Sequence, residues 1–173
     1  MKREVNLLEF YPQSKRPIDD RGNLITEQDR AIARKFDVEY FDGDRLTGYG
    51  GYNYNPRFWT DTVAHIKDFY HLDDNSKILD IGCAKGYMMH DLSLLIPGAE
   101  IKGVDVSNYA KENSIESMQD NIVVANANNL PFPDDYFDLV IAINTLHNLP
   151  LIDCKQAFSE INRVTKNNSF VMN

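Results

Sequence analysis

The sequence predicts an α/β fold built on a mostly parallel sheet with helices on both faces, and three observations carry the prediction. Short apolar runs recur from residue 77 onward: KILDI (77–81), EIKGVDV (100–106), NIVVA (121–125), FDLVIAI (137–143) and SFVM (169–172). Stretches of helical spacing separate most of them. A turn of small residues, Gly82-Cys83-Ala84-Lys85-Gly86, follows the first run directly. Strands alternating with helices imply βαβ crossovers, and in such sheets ligands bind at the carboxyl ends of the strands.

Upstream of residue 76 the texture is different, rich in turns and tyrosines. Val5–Phe10 reads as a strand and Pro12 to Gly22 as a loop. Thr26 is an N-cap candidate, with acids in the first turn of a helix running to about Phe36. The segment FDGDRLTGYGGYNYNP (41–56) is too glycine-rich for a regular element. Asn55-Pro56 forms a cap and first-position pair, and Trp59, Val63, Ile66 and Phe69 then recur at helical spacing to about Tyr70. Downstream, a helix is expected from Tyr87 to Leu95, stopped by Pro97-Gly98. Ser107 caps another, extending to about Met118. Asp153 caps a third, in which Ala157, Phe158, Ile161 and Val164 share one face. The chain therefore divides into an N-terminal helical and loop segment, 1–76, suited to be a lid or acceptor-site cap, and a sheet domain, 77–173.

Composition narrows the partners. The 173 residues hold 18 Lys+Arg against 26 Asp+Glu, a formal charge of −8. Neither half carries a basic tail or stripe. Phosphate neutralisation needs clustered Lys and Arg, so nucleic acid and anionic membrane surfaces are both disfavoured. The longest unbroken apolar run, Leu139–Ile143, is far short of a membrane span. The start, MKREVNLLEF, lacks the features of a signal peptide. Two cysteines, Cys83 and Cys154, make no disulfide framework. A soluble protein of a reducing cytoplasm follows.

The small-residue turn lets a ligand approach the backbone and the free N–H groups of a helix start; a tight turn without a ligand is the plainer alternative. A dinucleotide pattern G-x-G-x-x-G would need glycine at 84 and 87, where Ala84 and Tyr87 stand, and no P-loop pattern occurs anywhere. The second signal is Asp105, 25 residues after Asp80. An acid at the tip of a second strand can accept both hydroxyls of a ribose. Its alternative role, capping the next helix, is better served by Ser107.

With these residues in view, the chain resembles the class I S-adenosylmethionine-dependent methyltransferases, in particular their broad type 11 small-molecule group. Asp80-Ile-Gly82-Cys-Ala84-Lys-Gly86 is similar to the family's first motif, with alanine in place of the middle glycine, and Asp105 to its second-strand acid. VVANANNLPFPDDYFDLV (123–140), VIAINTLHNL (140–149) and EINRVTKNNSF (160–170) resemble its later segments, in the family's order. The resemblance covers residues 77 to 173. It implies a Rossmann-like domain binding S-adenosyl-L-methionine against Asp80, Gly82, Cys83, Ala84, Gly86, Asp105, Val106, Asn126, Ala127 and Asn144.

The departures set further expectations. Ala84 is tolerated in the turn if its backbone stays at negative φ. Asn126 stands where the family has an acid for the adenine amino group, and its amide keeps a carbonyl acceptor. Lys166-Asn167-Asn168-Ser169 replaces a glycine-bearing turn, whose left-handed geometry asparagine can supply. The family's usual C-terminal strand pair is missing, so the chain reads as C-terminally truncated and its last strand as a bare sheet edge.

The reaction the resemblance implies is methyl transfer to a small-molecule acceptor, a metabolite or sugar-like compound, in which positioning and desolvation supply most of the catalysis. His147 is placed to act as a base; a loop histidine packing beside the cofactor is the alternative. His65, His71 and His90 complete the histidines, and none has metal-type spacing, so no metal is expected. Cys83 reads as a small residue filling the turn rather than a nucleophile. Tyr49, Tyr52 and Tyr54, on a glycine-rich loop, could close over the cofactor or line an acceptor pocket, followed by Arg57 and Trp59. A rival reading is a truncated, catalytically inactive cofactor-binding or interaction domain.

Overall fold

The computed structural model describes residues 5–12, 22 and 24–172. The strands follow from the apolar runs. β1 (Lys77–Ile81), β2 (Glu100–Asp105), β3 (Ile122–Val124), β4 (Phe137–Ile143) and β5 (Thr165–Met172) form one sheet in the order β3-β2-β1-β4-β5, every pairing parallel. β1 is central, with Ile78 opposite both Ile101 and Leu139 and Ile81 opposite Val104 and Ala142.

Helices cover both faces, which is why the strands read as continuous apolar runs rather than alternating ones. On one face Ile78, Ile101, Leu139 and Ile141 meet Val63 and Ile66 of α3 (Thr60–Tyr70) and Met88, Met89 and Leu92 of α4 (Tyr87–Leu95). On the other, Leu79, Ile81, Val140 and Ala142 meet Ala157, Ile161 and Val164 of α6 (Leu151–Val164). Truncating a fully buried side chain such as Leu79 to alanine costs about 2–5 kcal/mol in such a core. At Gly103 α4 and the turn before it press on the sheet too tightly for a side chain: a Cβ there would lie 2.5 Å from Met89 Sδ and 2.6 Å from Cys83 Sγ.

The connection from β3 to β4 carries no helix, and α6 holds it instead. Arg163 donates to the carbonyls of Leu130 and Phe132 and pairs with Glu160 and Asp134, while Glu160 Oε2 accepts from Leu130 N–H. The Arg163 side-chain bonds hold the Glu160 carboxyl below its ordinary range against the opposing effect of burial.

Upstream, α1 (Glu27–Ala33) begins at Thr26 with a reciprocal capping box to Asp29, as the sequence predicts. It stops at Ala33, short of the expected Phe36, which takes φ of 50°. A single-turn α2 (Val38–Phe41) follows. Residues 42–55 hold no regular element, and Asn55 caps a 3-10 turn, Pro56–Phe58, that leads into α3.

Five further expectations are corrected. Val5–Phe10 forms turns, not a strand: Asn6 Oδ1 accepts from Leu8 N–H at 3.1 Å, and Leu7 and Leu8 are buried in succession, which an alternating strand forbids. The helix after Ser107 is split into α5 (Asn108–Glu112) and a 3-10 segment, Glu116–Asn121. Asn113 and Ser114 bond back to the last helical carbonyls, and Ile115 N–H leaves the helix to reach Lys85 O at 3.0 Å. Asp153 is not the cap of α6, which starts at Leu151; it lies in the first turn and accepts from Asn128 Nδ2 at 3.0 Å. Residues 166–169 are extended within β5, not a turn, with Asn168 in register with Leu139 and Lys166 Nζ 3.0 Å from Asp138 Oδ1. The fifth correction, Ala84, belongs to the site below. The loop expected from Pro12 to Gly22 lies almost wholly outside the described residues. No helix among the described residues is long and apolar enough to cross a membrane.

Candidate functional site

At the carboxyl end of β1 the chain has to turn into α4 within five residues while passing the tips of β2 and β4. Gly82 and Cys83 both donate their N–H to Val104 O, at 2.7 and 3.1 Å. Gly82 has φ of 77°, and a Cβ on it would lie 2.1 Å from Thr145 Oγ1, so only glycine fits. Thr145 in turn donates to the Ile81 carbonyl at 3.0 Å. Gly86, also at positive φ, caps α4.

Ala84 overturns its expectation. Its φ is +49°, in the left-handed region, where an alanine is strained by about 1–2 kcal/mol. Two contacts hold it there. Its N–H donates to Asp105 Oδ2 at 2.8 Å, and its methyl is buried with Phe41 and Ala110.

Asp105 therefore has a structural task that the sequence does not announce. Oδ2 takes the Ala84 N–H and Oδ1 the Ser107 N–H at 2.9 Å, lashing the tip of β2 to the turn after β1. Burial raises its carboxyl above the ordinary range, against the pull of these backbone bonds. Each oxygen keeps a further lone pair. The cap of α5 is Ser107, whose Oγ accepts from Ala110 N–H at 2.9 Å.

Asp80 is the other buried acid, 5% exposed at the middle of the sheet. No described residue hydrogen-bonds its carboxylate. Burial, reinforced by the charge of Asp105, pushes it up to about 8. A buried carboxylate without a donor is costly unless something else satisfies it.

Two adjoining cavities receive these groups. The larger, about 370 Å³, is lined by Gly82, Ala84, Asp105, Val106, Asn126, Ala127 and Asn144, and is roofed by Tyr40, Phe41 and Tyr49, with Arg34 and Lys35 at the end of α1. The second, about 260 Å³, holds Asp80 and Cys83 beneath Tyr52, Tyr11 and Trp59; Tyr49, Gly82, Ala84 and Asn144 line both. Burial raises the Cys83 thiol well above its ordinary value, so it is not an activated nucleophile. Asn126 is exposed, and its Oδ1 accepts weakly from Asn128 N–H at 3.3 Å. His147 is exposed and faces a third opening instead.

The structure brings Tyr49 and Tyr52 to the cavities but not Tyr54 or Arg57. The Tyr54 hydroxyl donates to Asp91 on α4, and the Arg57 guanidinium lies 4.7 Å over the Phe58 ring. Trp59, beside them in sequence, does reach the second cavity.

Distant partners fasten the roof. Lys85, buried inside the glycine turn, points its Nζ at Asp42 Oδ2, 2.7 Å away, and at the Tyr52 carbonyl, 3.1 Å away. Asp42 also accepts from the Tyr109 hydroxyl at 2.6 Å and from Tyr52 N–H at 3.0 Å, and Tyr87 donates its hydroxyl to Tyr52 O. Burial pushes the Asp42 carboxyl up, but the bonds from Lys85, Tyr109 and Tyr52 outweigh it and hold it below the ordinary range. The roof is thus clamped to the floor through residues 43 positions apart. The only trace of this in the sequence is a lysine where a ligand-cradling turn needs no charge.

With a cradle that excludes a Cβ, an acid at the second strand tip and a donorless acid beside it, the geometry suits a ligand with a ribose and a cationic group. A family described as a methyltransferase domain matches residues 79–172, more than half of the chain. The chain is 33% identical over 110 residues to the sterol 4-C-methyltransferase of Caenorhabditis elegans, a match that covers 60% of this chain and 32% of that protein. It is 33% identical over 100 residues to the malonyl-acyl-carrier-protein O-methyltransferase of Legionella pneumophila, covering 56% and 34%. The chain thus spans about a third of the length of these curated relatives. Among solved structures, a putative S-adenosyl-L-methionine-dependent methyltransferase from Methanococcus maripaludis superposes with a TM-score of 0.58 at 16% identity, covering 92% of this chain and 66% of that one. That likeness is one of fold.

Proposed function

Because the chain belongs to the family of S-adenosylmethionine-dependent methyltransferases, we propose that it holds this cofactor across the tips of β1, β2 and β4 and directs methyl transfer to a small-molecule acceptor beneath the 40–52 roof. The observation that carries the proposal is the pair of buried acids, Asp80 and Asp105, opening into two cavities that share Gly82, Ala84 and Asn144. In this reading the spare lone pairs of Asp105 take the ribose hydroxyls. Val106 and Ala127 give apolar faces to the base, and the Asn126 amide meets its edge. Asp80 meets the ammonium of the methionyl part, which supplies the charge partner its buried carboxylate lacks. Cys83 and Gly86 keep the backbone of the turn in shape. The bound cofactor supplies a methyl group already activated by sulfonium charge, so the residues of the chain have to orient the acceptor and exclude water.

Tyr49 and Tyr52 do the second of these tasks, held down by the Lys85 clamp. His147 is the base for an acceptor that must lose a proton. A reducing cytoplasm, inferred from the sequence, belongs to the same proposal. The relatives act on acceptors as different as a sterol and a malonyl group, by their names, so they support a small molecule without selecting one.

The test is calorimetric titration of the chain with S-adenosylhomocysteine, with NAD and Asp105→Ala as controls. Saturable micromolar binding, lost in the variant and absent with NAD, is the expected result. A folded chain that binds no S-adenosylhomocysteine would sink the proposal. Binding without methyl transfer to any acceptor tried would favour the rival reading of an inactive cofactor-binding domain.

A further inference from the structure

Three cavities meet at the tips of β1 and β4. The first holds Asp105, the second Asp80, and the third, about 530 Å³, opens past His147. Among the described residues only Tyr49, from the roof, and Asn144, from the end of β4, line all three. We propose that these two residues flank the sulfonium of the bound cofactor, through the Tyr49 ring and the Asn144 amide oxygen, and so hold the methyl-bearing form more tightly than the product. The inference rests on the methyltransferase reading and names the residues that sense the sulfonium charge.

Branching makes the argument. A sulfonium carries three substituents, here an adenosyl part, a methionyl part and the methyl group, and the cleft branches in the same way. With the ribose on Asp105 and the ammonium near Asp80, the sulfur lies where the first two cavities join. The walls they share are Tyr49, Gly82, Ala84 and Asn144. Of these, Tyr49 and Asn144 also border the third cavity, which leaves that branch to the methyl group and its acceptor. Transfer forms a bond from the acceptor atom to the methyl carbon, breaks the bond to sulfur and leaves that electron pair on sulfur. A proton carried by the acceptor passes to His147 or to water. The cation beside Tyr49 and Asn144 thereby becomes a neutral thioether, and whatever these residues contribute to holding the charge is lost when the product forms.

Both residues are fixed in place. Tyr49 donates its N–H to Tyr40 O at 2.8 Å. Its ring lies 4.4 Å from the Tyr52 ring and meets the Tyr40 ring edge-on at 5.3 Å, yet 41% of the residue stays exposed, so ring surface remains for a ligand. An aromatic face attracts a cation through its quadrupole and has no such preference for a thioether. Asn144 has φ of 53°, a left-handed conformation that asparagine tolerates better than most residues, and its N–H is bonded to Met172 O on β5 at 2.7 Å. Backbone held in this region collects at ligand sites. The Asn144 side chain adds a carbonyl oxygen, the negative end of an amide dipole, without the proton that a carboxylate takes up.

The test is calorimetric titration of the whole chain with S-adenosylmethionine and with S-adenosylhomocysteine, read as the ratio of the two affinities. Asp80 and Asp105 meet parts that the two ligands share, so their contacts largely cancel in the ratio. Tyr49→Leu should lower the preference for S-adenosylmethionine about fivefold, the equivalent of one cation–π contact, whereas Tyr49→Phe, which keeps the ring, should retain it. Asn144→Gly suits the left-handed backbone, removes the amide oxygen and should lower the same preference by a smaller factor. A ratio left unchanged by Tyr49→Leu, or by Asn144→Gly if the first variant does not fold, would overturn the inference. That includes an equal weakening of both ligands, which a purely structural part in the roof would give. Loss of the preference in Tyr49→Phe to the same extent as in Tyr49→Leu would overturn it too. A chain that binds neither ligand would overturn the methyltransferase reading, and this inference with it.

Discussion

The floor and the roof of the candidate cleft are made in opposite ways. The floor, the tips of β1, β2 and β4, is backbone fixed through its N–H groups: Gly82 and Cys83 on the Val104 carbonyl, Ala84 and Ser107 on the single Asp105 carboxylate. The strands behind it are buried on both faces. The roof, residues 40–52, has one helical turn and is held by side chains: the Lys85–Asp42 pair, two tyrosine hydroxyls and a cluster of rings in which Tyr49 and Tyr52 sit 4.4 Å apart. The difference assigns the work. A floor of fixed dipoles can present the same shape to every cofactor molecule. A roof tied by a few polar contacts can open for entry without disturbing the core.

The largest effect should come from breaking the floor. Asp105→Ala removes the proposed ribose acceptor and orphans two buried N–H groups, so S-adenosylhomocysteine affinity should fall about a hundredfold or more in calorimetry. Unchanged affinity would detach Asp105 from the cofactor.

Breaking the roof should cost less. Lys85→Met leaves Asp42 without its charge partner, and chemical denaturation should show a loss of about 2 kcal/mol, below the range for fully buried pairs because Asp42 is partly exposed. Limited proteolysis should then cut within 42–55 first. If cleavage begins in the sheet instead, the clamp does not hold the roof.

Asp80 sharpens the contrast through pH. Its folded value, about 8, lies above the ordinary carboxylate value. The protonated form therefore favours folding, a contribution complete below about pH 4 and lost as pH rises through about 8. Asp80→Asn should melt higher than the parent by about 4 °C at about pH 9, the gap closing towards pH 5, as read by thermal unfolding. The same variant should bind S-adenosylhomocysteine more weakly. A melting difference that does not change with pH would show that Asp80 is not titrating.

The smallest effect belongs to Ala84. Ala84→Gly relieves the left-handed strain but loosens the unfolded chain, for a net gain of about 0.5 kcal/mol in denaturation midpoint terms. A loss of stability would mean that the buried methyl outweighs the strain.

The same contrast explains what the sequence made legible. Floor elements rest on local signals: the apolar runs match β1 and β4 to the residue, and the small-residue turn lines both cavities. The signals failed where a distant partner decided the outcome. Ala84 goes left-handed because Asp105 holds its N–H. The helix after Ser107 breaks because Lys85 O claims Ile115, and residues 166–169 extend because β4 pairs with them. Roof residues rest almost wholly on such distant partners. Tyr54 and Arg57 sit beside Tyr52 and Trp59 in sequence yet face elsewhere, and no spacing rule separates them. Lys85 carries no local signal of its role because its partner is 43 residues away.

The Lys85–Asp42 clamp also bears on the birth of the chain. Asp42 leaves the ribosome well before Lys85, and 67 residues before Tyr109, its other side-chain partner. At about 5–20 residues per second, the roof spends roughly 3–13 s without the groups that fasten it. Its rings can gather among themselves in that interval, but they have no sheet to cover. The segment made early is thus the one seated late, and the nascent chain carries an exposed aromatic cluster until the tip of β2 and the start of α5 have been synthesised.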